Sequence, residues 1–413
     1  MTRQALIAGG GIGALAAALS VARAGWEVRL YEQASAFSEV GAGLQLGPNA
    51  TRLLQGWGLG QALSQVAAFP EKLCVRSAPS GRELGVLKLG KRSLERYGAP
   101  YATVHRGDLH ALLLSSVAAR AAVHLNLNAT VAAYDLTPDG VEMALADGHR
   151  VEGDVLIGAD GLWSQVRRQG LTDGAAKPVG HLAFRALVRQ TDLPAGLRSQ
   201  FVNVWLGPRL HVVSYPVRAG EMLNVVVIAQ GEPPADVENW DHAGLSADVC
   251  AALAGSCAPL LDLIESMPSW RLWALCERAP LAAADQMAFG RVALLGDAAH
   301  PMRPYLAQGA GMAIEDAAEL GRCLVSVAKP QTDAPLALRR YALQRWERNA
   351  RVQARAVRNG RIFHATGLLR LGRDMALKLI GQRLLDLPWL YGEGAAAGST
   401  PAQSNGRGTR LSP

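Results

Sequence analysis

The sequence predicts a mixed α/β fold that opens on a parallel sheet, and four stretches carry the prediction. Residues 3 to 33 read as strand, glycine turn, helix and strand; residues 122 to 158 and 181 to 230 read as two runs of short strands; residues 308 to 328 read as a long apolar helix. In the first stretch Ala5 to Ala8 is a short apolar run, Leu15 to Ala24 consists of helix formers, and Glu27 to Tyr31 alternates. Strands joined through a helix pair in parallel, since the crossover returns the chain to the same end of the sheet. Asp108 suits an N-cap ahead of Leu109, Leu112 and Leu113, so a helix is expected to begin just beyond Arg106. The first strand run is punctuated by Pro138-Asp139-Gly140 and Ala146-Asp147-Gly148, turn sequences both. In the second, Leu210 to Val217 and Leu223 to Ala229 flank Arg218-Ala219-Gly220-Glu221, and the two runs are expected in separate sheets. Residues 244 to 266 return to helix, and 291 to 296 form a short buried strand.

Composition narrows the class. A chain of 413 residues with 49% hydrophobic, 19% charged and 44 glycines has a packed interior, which excludes disordered, collagen-like and small disulfide-stapled proteins. Cys74, Cys250, Cys257, Cys276 and Cys323 are odd in number, widely spaced and contain no C-x-x-C. They therefore read as buried thiols in a reducing compartment, which implies a cytoplasmic protein with no disulfide framework and no metal site. The net charge of +7 is uneven, because residues 339 to 383 hold 12 Lys/Arg against 2 Asp/Glu. Within that stretch Arg345, Arg348, Arg351, Arg355, Arg358 and Arg361 follow helical spacing. The stripe reads first as a solvated helix face and second as a contact for an anionic membrane surface or an acidic partner. No aromatic interleaving accompanies it, so nucleic acid is not an expected partner. The apolar run Ala5 to Ala24 contains three consecutive glycines and continues into a further strand, unlike a leader peptide or a membrane span. Gly392 to Pro413 has no apolar periodicity and reads as a disordered tail; oligomeric state is not legible.

The motif at the end of the first strand is Gly9-Gly10-Gly11-Ile12-Gly13-Ala14, with Glu32 closing the second strand 23 positions after Gly9. Small residues let backbone amides at a helix N-terminus approach a pyrophosphate, and the carboxylate suits the ribose of an adenosine, so the pair marks a dinucleotide site. Two further segments decide which dinucleotide: Asp154-Val155-Leu156-Ile157-Gly158-Ala159-Asp160-Gly161, continuing to Arg167, and Gly290-Arg291-Val292-Ala293-Leu294-Leu295-Gly296-Asp297, continuing to Pro301. The first resembles the "DG" motif of flavin-dependent aromatic hydroxylases and the second the "GD" motif of flavoproteins. Pro304-Tyr305-Leu306-Ala307-Gln308-Gly309-Ala310-Gly311-Met312 and Val40 to Asn49 extend the likeness, which covers about residues 3 to 392. The chain is thereby identified as resembling the single-component FAD-dependent aromatic hydroxylases, in the branch of salicylate, 3-hydroxybenzoate and 6-hydroxynicotinate hydroxylases.

That resemblance implies a Rossmann-like FAD-binding domain from residues 1–70, 101–180 and 281–330, a substrate-binding β-sheet from 71–100 and 181–280, a C-terminal helical segment 331–391, and the tail 392–413. It implies noncovalent FAD, with Asp297 on the ribityl chain, Asp160 between the pyrophosphate and the nicotinamide donor, and Arg106 on the flavin nucleotide. The amides of Gly309, Ala310 and Gly311 would face the flavin pyrimidine. It further implies that NADH or NADPH reduces FAD, that O2 adds to the reduced flavin, and that the resulting hydroperoxide gives an OH to a small phenolic acid. On the strand Leu210 to Val217, His211, Val213 and Tyr215 share a face by the two-residue period. His211 and Tyr215 resemble the substrate-contacting pair of the 3-hydroxybenzoate and 6-hydroxynicotinate enzymes, and with Pro304 they are the candidate catalytic positions. The chain departs from its relatives in three places: Pro304 stands where the 3-hydroxybenzoate pattern has Gln, Gln45 where the 6-hydroxynicotinate pattern has His, and Ala307 where Gly is frequent. Trp57, Trp240, Trp270, Trp273 and Trp389 read as packing residues. Alternative readings are a ring hydroxylase of quinone biosynthesis, whose basic helix would meet a membrane, and a flavin-binding redox sensor that does not turn over.

Overall fold

The computed structural model describes residues 3–37, 43–325, 327 and 333–392. Strand Gln4–Ala8 lies inside a six-stranded sheet, parallel to Glu27–Tyr31 on one side and to Val155–Gly158 on the other. Val123–Asn126 extends the sheet beyond Glu27–Tyr31, Val292–Leu294 extends it beyond Val155–Gly158, and Ala288–Phe289 closes that edge antiparallel. Ala5, Leu6, Ile7, Val155, Leu156 and Ile157 are buried, as the central strands of a sheet covered on both faces must be. Helix Ile12–Arg23 packs on this sheet and against Gly309–Val325. Gly13 permits that contact: a Cβ there would stand 3.1 Å from Leu295 and 3.4 Å from Ala313.

The first strand run divides as its turns imply. Its outer strands join the parallel sheet, while Val131–Leu136, Val141–Leu145 and Arg150–Gly153 form a separate antiparallel sheet. The second run builds an eight-stranded sheet ordered His242–Gly244, Trp270–Glu277, Lys177–Arg189, Met222–Gln230, Leu210–Val217, Val202–Gly207, Lys72–Ser77 and Glu83–Lys88. One face of it packs on the helices Ser246–Ala252 and Ala258–Glu265 through Val212, Val225, Val227, Leu260 and Leu263. The other face, through Val204, Tyr215 and Val217, meets Met312 of Gly309–Val325 and Val352 of the long helix Ala334–Phe363.

Three local expectations need correction. The helix after strand Ala102–His105 starts at Arg106 itself, with His105 as cap residue; Asp108 lies in the first turn, 3.3 Å from Arg218, because the strand runs into the helix without a connecting residue. The helix expected over 244 to 266 is two helices, broken where Gly255 takes φ +81°. Cys74 and Cys323 are buried, but Cys250, Cys257 and Cys276 are half-buried; all five are free thiols.

The basic stripe is not one solvated face. Arg345 is buried, with Nη1 2.6 Å from Glu315 and Nε 2.7 Å from Asp316; Arg348 adds a contact to Glu315 at 2.7 Å. Glu315 and Asp316 sit inside the neighbouring helix face, where a carboxylate needs a counter-charge, and that demand turns the two arginines inward. Arg351, Arg358 and Arg361 remain exposed, and Arg351 lies 4.1 Å over the Trp389 ring. Among the described residues no helix is long and apolar enough to cross a membrane. The tail beyond Gly392 and the start of the segment 40 to 49 lie outside the described residues.

Candidate active site

The glycine loop is shaped by what surrounds it. Gly9 takes φ +105°, and a Cβ there would collide with the Ala159 carbonyl, so the loop lies directly against the segment that carries Asp160. At Gly10 a Cβ would stand 2.7 Å from Glu32 Oε2 and 2.9 Å from Phe37. Gly11 caps the helix Ile12–Arg23 with no side-chain hydrogen bond, and no acidic residue occupies the first turn, so the first amides have no side-chain acceptor. Such a helix N-terminus accommodates an anion. Ile12, Gly13 and Ala14 form the first turn. Glu32 accepts from the Ala34 amide at 2.8 Å, and His110 donates from Nε2 to the Gly10 carbonyl at 2.8 Å. His110 stands one turn after Arg106, so one helix both presents Arg106 and braces the loop.

The DG and GD segments are tied together by a buried arginine. Arg167 donates to the carbonyls of Ala298 at 3.1 Å and Ala299 at 2.7 Å, and its Nε reaches Asp173 at 2.8 Å. Asp160 accepts from Ser164 Oγ at 2.6 Å and from the Gln165 and Val166 amides at 2.8 and 3.2 Å. It thus holds the start of helix Gln165–Leu171, and burial raises its carboxyl pKa despite those bonds. Asp297 is exposed in outline, yet the protein crowded about it raises its carboxyl pKa, with His300 and Arg106 opposing the rise. Arg106 lies 5.2 Å over the ring of Trp240, which is therefore a surface residue rather than core packing.

Beyond the GD segment, exposed Pro304 opens the turn Pro304–Leu306, and Ala307 follows in the left-handed region at φ +51°, ψ +42°. Helix Gly309–Val325 begins at once, bringing Gly309 within 4.0 Å of Asp297 Oδ1 as measured from an added Cβ. Its start is held by buried side chains. Asn49 donates to Gln308 Oε1 at 3.1 Å and to Glu315 Oε1 at 2.7 Å, and Asp316 meets His300 Nε2 at 2.5 Å. Burial alone would raise the carboxyls of Glu315 and Asp316, but the partners around them, Arg345 and Arg348 for Glu315, His300 and Arg345 for Asp316, hold both below the ordinary range.

His211 and Tyr215 are both buried, and the strand period keeps them on one side, but they have different partners. Tyr215 donates to the Gly43 carbonyl at 2.6 Å, while the Gly43 amide donates to Asn224 Oδ1 at 2.9 Å. Burial raises the Tyr215 hydroxyl pKa, which fixes it as a phenol. His211 belongs to an aromatic cluster: its Nδ1 is 2.9 Å from His364 Nε2, and its ring centroid is 5.3 Å from those of Tyr305 and Phe363. Tyr305 in turn bonds His181 Nδ1 at 2.7 Å. Burial, reinforced by His364 and His181, holds His211 well below the ordinary imidazole pKa, and His364 is pushed down to about 3.

The structure therefore brings together the glycine loop, Glu32, Asp160, Asp297 and Gly309, and places His211 against the turn that begins at Pro304. Sequence reasoning missed His110, Arg167, Asn49, Asp316, His181 and His364. Arg167 and Asn49, each inside a quoted motif, carried a local signal; the others are isolated polar residues whose partners are distant in the chain.

Residues 2–360 match the family described as FAD binding domain. The chain is 38% identical to a 3-hydroxybenzoate 6-hydroxylase of Polaromonas naphthalenivorans (strain CJ2), over 94% of this chain and 95% of that protein. It is also 38% identical to a 6-hydroxynicotinate 3-monooxygenase of Bordetella bronchiseptica (strain ATCC BAA-588 / NCTC 13252 / RB50), over 84% and 88%. The fold matches Klebsiella pneumoniae HpxO complexed with FAD and uric acid at a TM-score of 0.81 and 26% identity, covering 93% of this chain and 95% of the other. The chain belongs to the FAD binding domain family and is an FAD-dependent aromatic monooxygenase.

Proposed function

We propose that the protein hydroxylates a small phenolic or hydroxy-aromatic acid of the hydroxybenzoate kind, with NADH or NADPH as reductant and O2 as oxidant, in the cytoplasm. The observation that carries the reading is buried His211, held on the substrate-sheet strand and packed against Tyr305 in the turn after the GD segment. The FAD fits the residues present: the helix N-terminus at Gly11, whose first turn has no side-chain acceptor, suits its pyrophosphate, Glu32, packed against Gly10, suits the adenosine ribose and Asp297 the ribityl chain. Arg106, near enough to Asp297 to oppose its rise in pKa, would meet the nucleotide. When bound and reduced, FAD would supply the electrons that activate O2, and O2 would supply the oxygen atom that is transferred.

The chain's own residues then have separate tasks. Val204, Tyr215 and Val217, packed against Met312 and Val352, would back the substrate site with apolar core and keep water from the ring. Neutral His211 can take the phenolic proton, making the ring a stronger nucleophile. Tyr215, whose proton is committed to Gly43, holds the segment from Gly43 and offers its oxygen lone pairs as acceptors. The test is a panel of hydroxybenzoates and hydroxypyridines, scored by stimulated NAD(P)H oxidation and by product mass under labelled O2. One labelled oxygen in the product supports the reading. Peroxide alone across the whole panel would favour a redox sensor, and activity confined to a prenylated phenol would favour quinone biosynthesis.

A further inference from the structure

Two neutral imidazoles meet nitrogen to nitrogen in the aromatic cluster, with 2.9 Å between His211 Nδ1 and His364 Nε2. One must donate and the other accept, so the two rings fix each other's tautomers. His364 follows the last residue of the long helix Ala334–Phe363 and is anchored at both backbone ends: its amide bonds the Gly360 carbonyl at 3.1 Å, and its carbonyl receives the Arg209 amide at 3.2 Å. Its other ring nitrogen, Nδ1, is buried and has no hydrogen-bond partner among the described residues. The ring is therefore held by His211 and by packing against His181 and Tyr305, whose centroids lie 4.9 and 5.6 Å away.

We propose that His364 is a positioning residue for the oxygen transfer: its Nε2 accepts a hydrogen bond from His211 Nδ1–H, which leaves the lone pair on Nε2 of His211 for the substrate. This rests on the reading that His211 receives the phenolic proton. The step balances as the shift of one proton. The substrate O–H breaks as His211 Nε2–H forms, leaving phenolate beside a His211 imidazolium whose Nδ1–H stays bonded to His364. The proton returns by the same route when the hydroxylated ring regains its phenol, so no external acid or base is consumed. An acceptor at Nδ1 is needed because His211 is almost wholly enclosed, and its N–H would otherwise be buried without a partner. The groups about the pair are His181 and Tyr305, with Arg373 acting on His364, and Arg303 and Glu277 acting on His181. Glu277 is the one acid among them, and it is paired with Arg303 at 2.7 Å.

The test uses the FAD-loaded full chain with 15N-labelled histidine, assigned through His211→Ala and His364→Gln. The expected spectrum has His211 protonated at Nδ1 and bare at Nε2 in the parent, and the same tautomer in His364→Gln, whose amide oxygen still accepts. His364→Leu should lose the preference. His364→Leu should titrate a bound phenol to phenolate at higher pH than the parent, read from the substrate's own absorption without turnover, and His364→Gln should stay near the parent. His364→Leu should also lower the oxygen-transfer rate about 10²-fold, the low end of general-base contributions, with FAD content unchanged. His211 protonated at Nε2 in the parent would overturn the proposal. So would unchanged titration and coupling in His364→Leu while His211→Ala is impaired. If His211→Ala also behaves as the parent, the underlying reading of the site fails with it.

Discussion

Replacing Arg345 by Met tests whether the basic helix is a structural lock. The side chain is 6% exposed and sits between Glu315 and Asp316, with contacts of 2.6 and 2.7 Å, and its third nitrogen reaches Asn349 at 3.2 Å. Met keeps much of the volume and removes the charge, so Asp316 keeps its hydrogen bond to His300 and Glu315 its contact with Arg348. Removing one partner of a buried ion pair costs about 3 to 5 kcal/mol, because the remaining charge is left in a medium that solvates it poorly. Unfolding entropy near 2.1 cal/mol/K per residue gives about 0.9 kcal/mol/K for 413 residues, so Tm should fall by roughly 3 to 6 °C. The pH dependence follows from the depressed pKa of both carboxyls. In the parent they contribute stability at pH values above their unfolded pKa, near ~4, and that contribution is lost as acid protonates them in the fold. In the variant the stranded carboxylates protonate more readily, so the deficit should narrow as pH is lowered. Differential scanning calorimetry of apo and FAD-loaded protein at neutral and mildly acidic pH measures both effects. A Tm within about 1 °C of the parent at every pH would refute the reasoning.

Three further outcomes are expected. Ala307→Gly relieves a left-handed alanine worth about 1 to 2 kcal/mol, against a smaller rise in chain entropy, so Tm should increase slightly; a decrease would show that the methyl packs usefully. Gly10→Ala puts a Cβ 2.7 Å from Glu32 Oε2 and should weaken FAD binding at least ~10-fold by flavin fluorescence, about 1.4 kcal/mol, whereas unchanged affinity would remove the loop from the site. The protein crowded about Asp297 raises its pKa, so FAD affinity should begin to decline at a higher pH than the ~4 of an ordinary carboxylate. That decline should vanish in Asp297→Asn, and its persistence there would assign it to another group.

Local chemistry made part of this fold legible. Ala5 to Ala8 and Glu27 to Tyr31 were readable because a strand buried on both faces and a strand with alternating exposure leave different marks on the sequence. The glycine loop and Glu32 were readable for the same reason: each residue type answers a constraint from its near neighbours. Arg345 and Arg348 were not, since a cation every third or fourth residue looks the same whether it faces water or a buried carboxylate 30 or more positions away. The N-cap at Asp108 misled because its carboxylate suits the first turn as well as the cap. His364 carried no signal at all; its significance lies in a strand 153 residues earlier.

The order of strands in the parallel sheet also bears on how the chain is made. Gln4–Ala8 is made before the other strands of the sheet, yet one of its two neighbours is Val155–Gly158, which in turn waits for Val292–Leu294. The carboxylates at 315 and 316 are neutralised only when residue 345 has been synthesised. Contacts of such long sequence separation form slowly, and a nascent chain that stops near the end of Gly309–Val325 holds every strand of the parallel sheet but exposes two acids without their arginine. The flavin-binding region is thus not a detachable module. Its maturation is deferred until nearly the whole polypeptide is available, so fragments ending before the long helix are expected to be held by chaperones or degraded rather than to accumulate as flavoprotein.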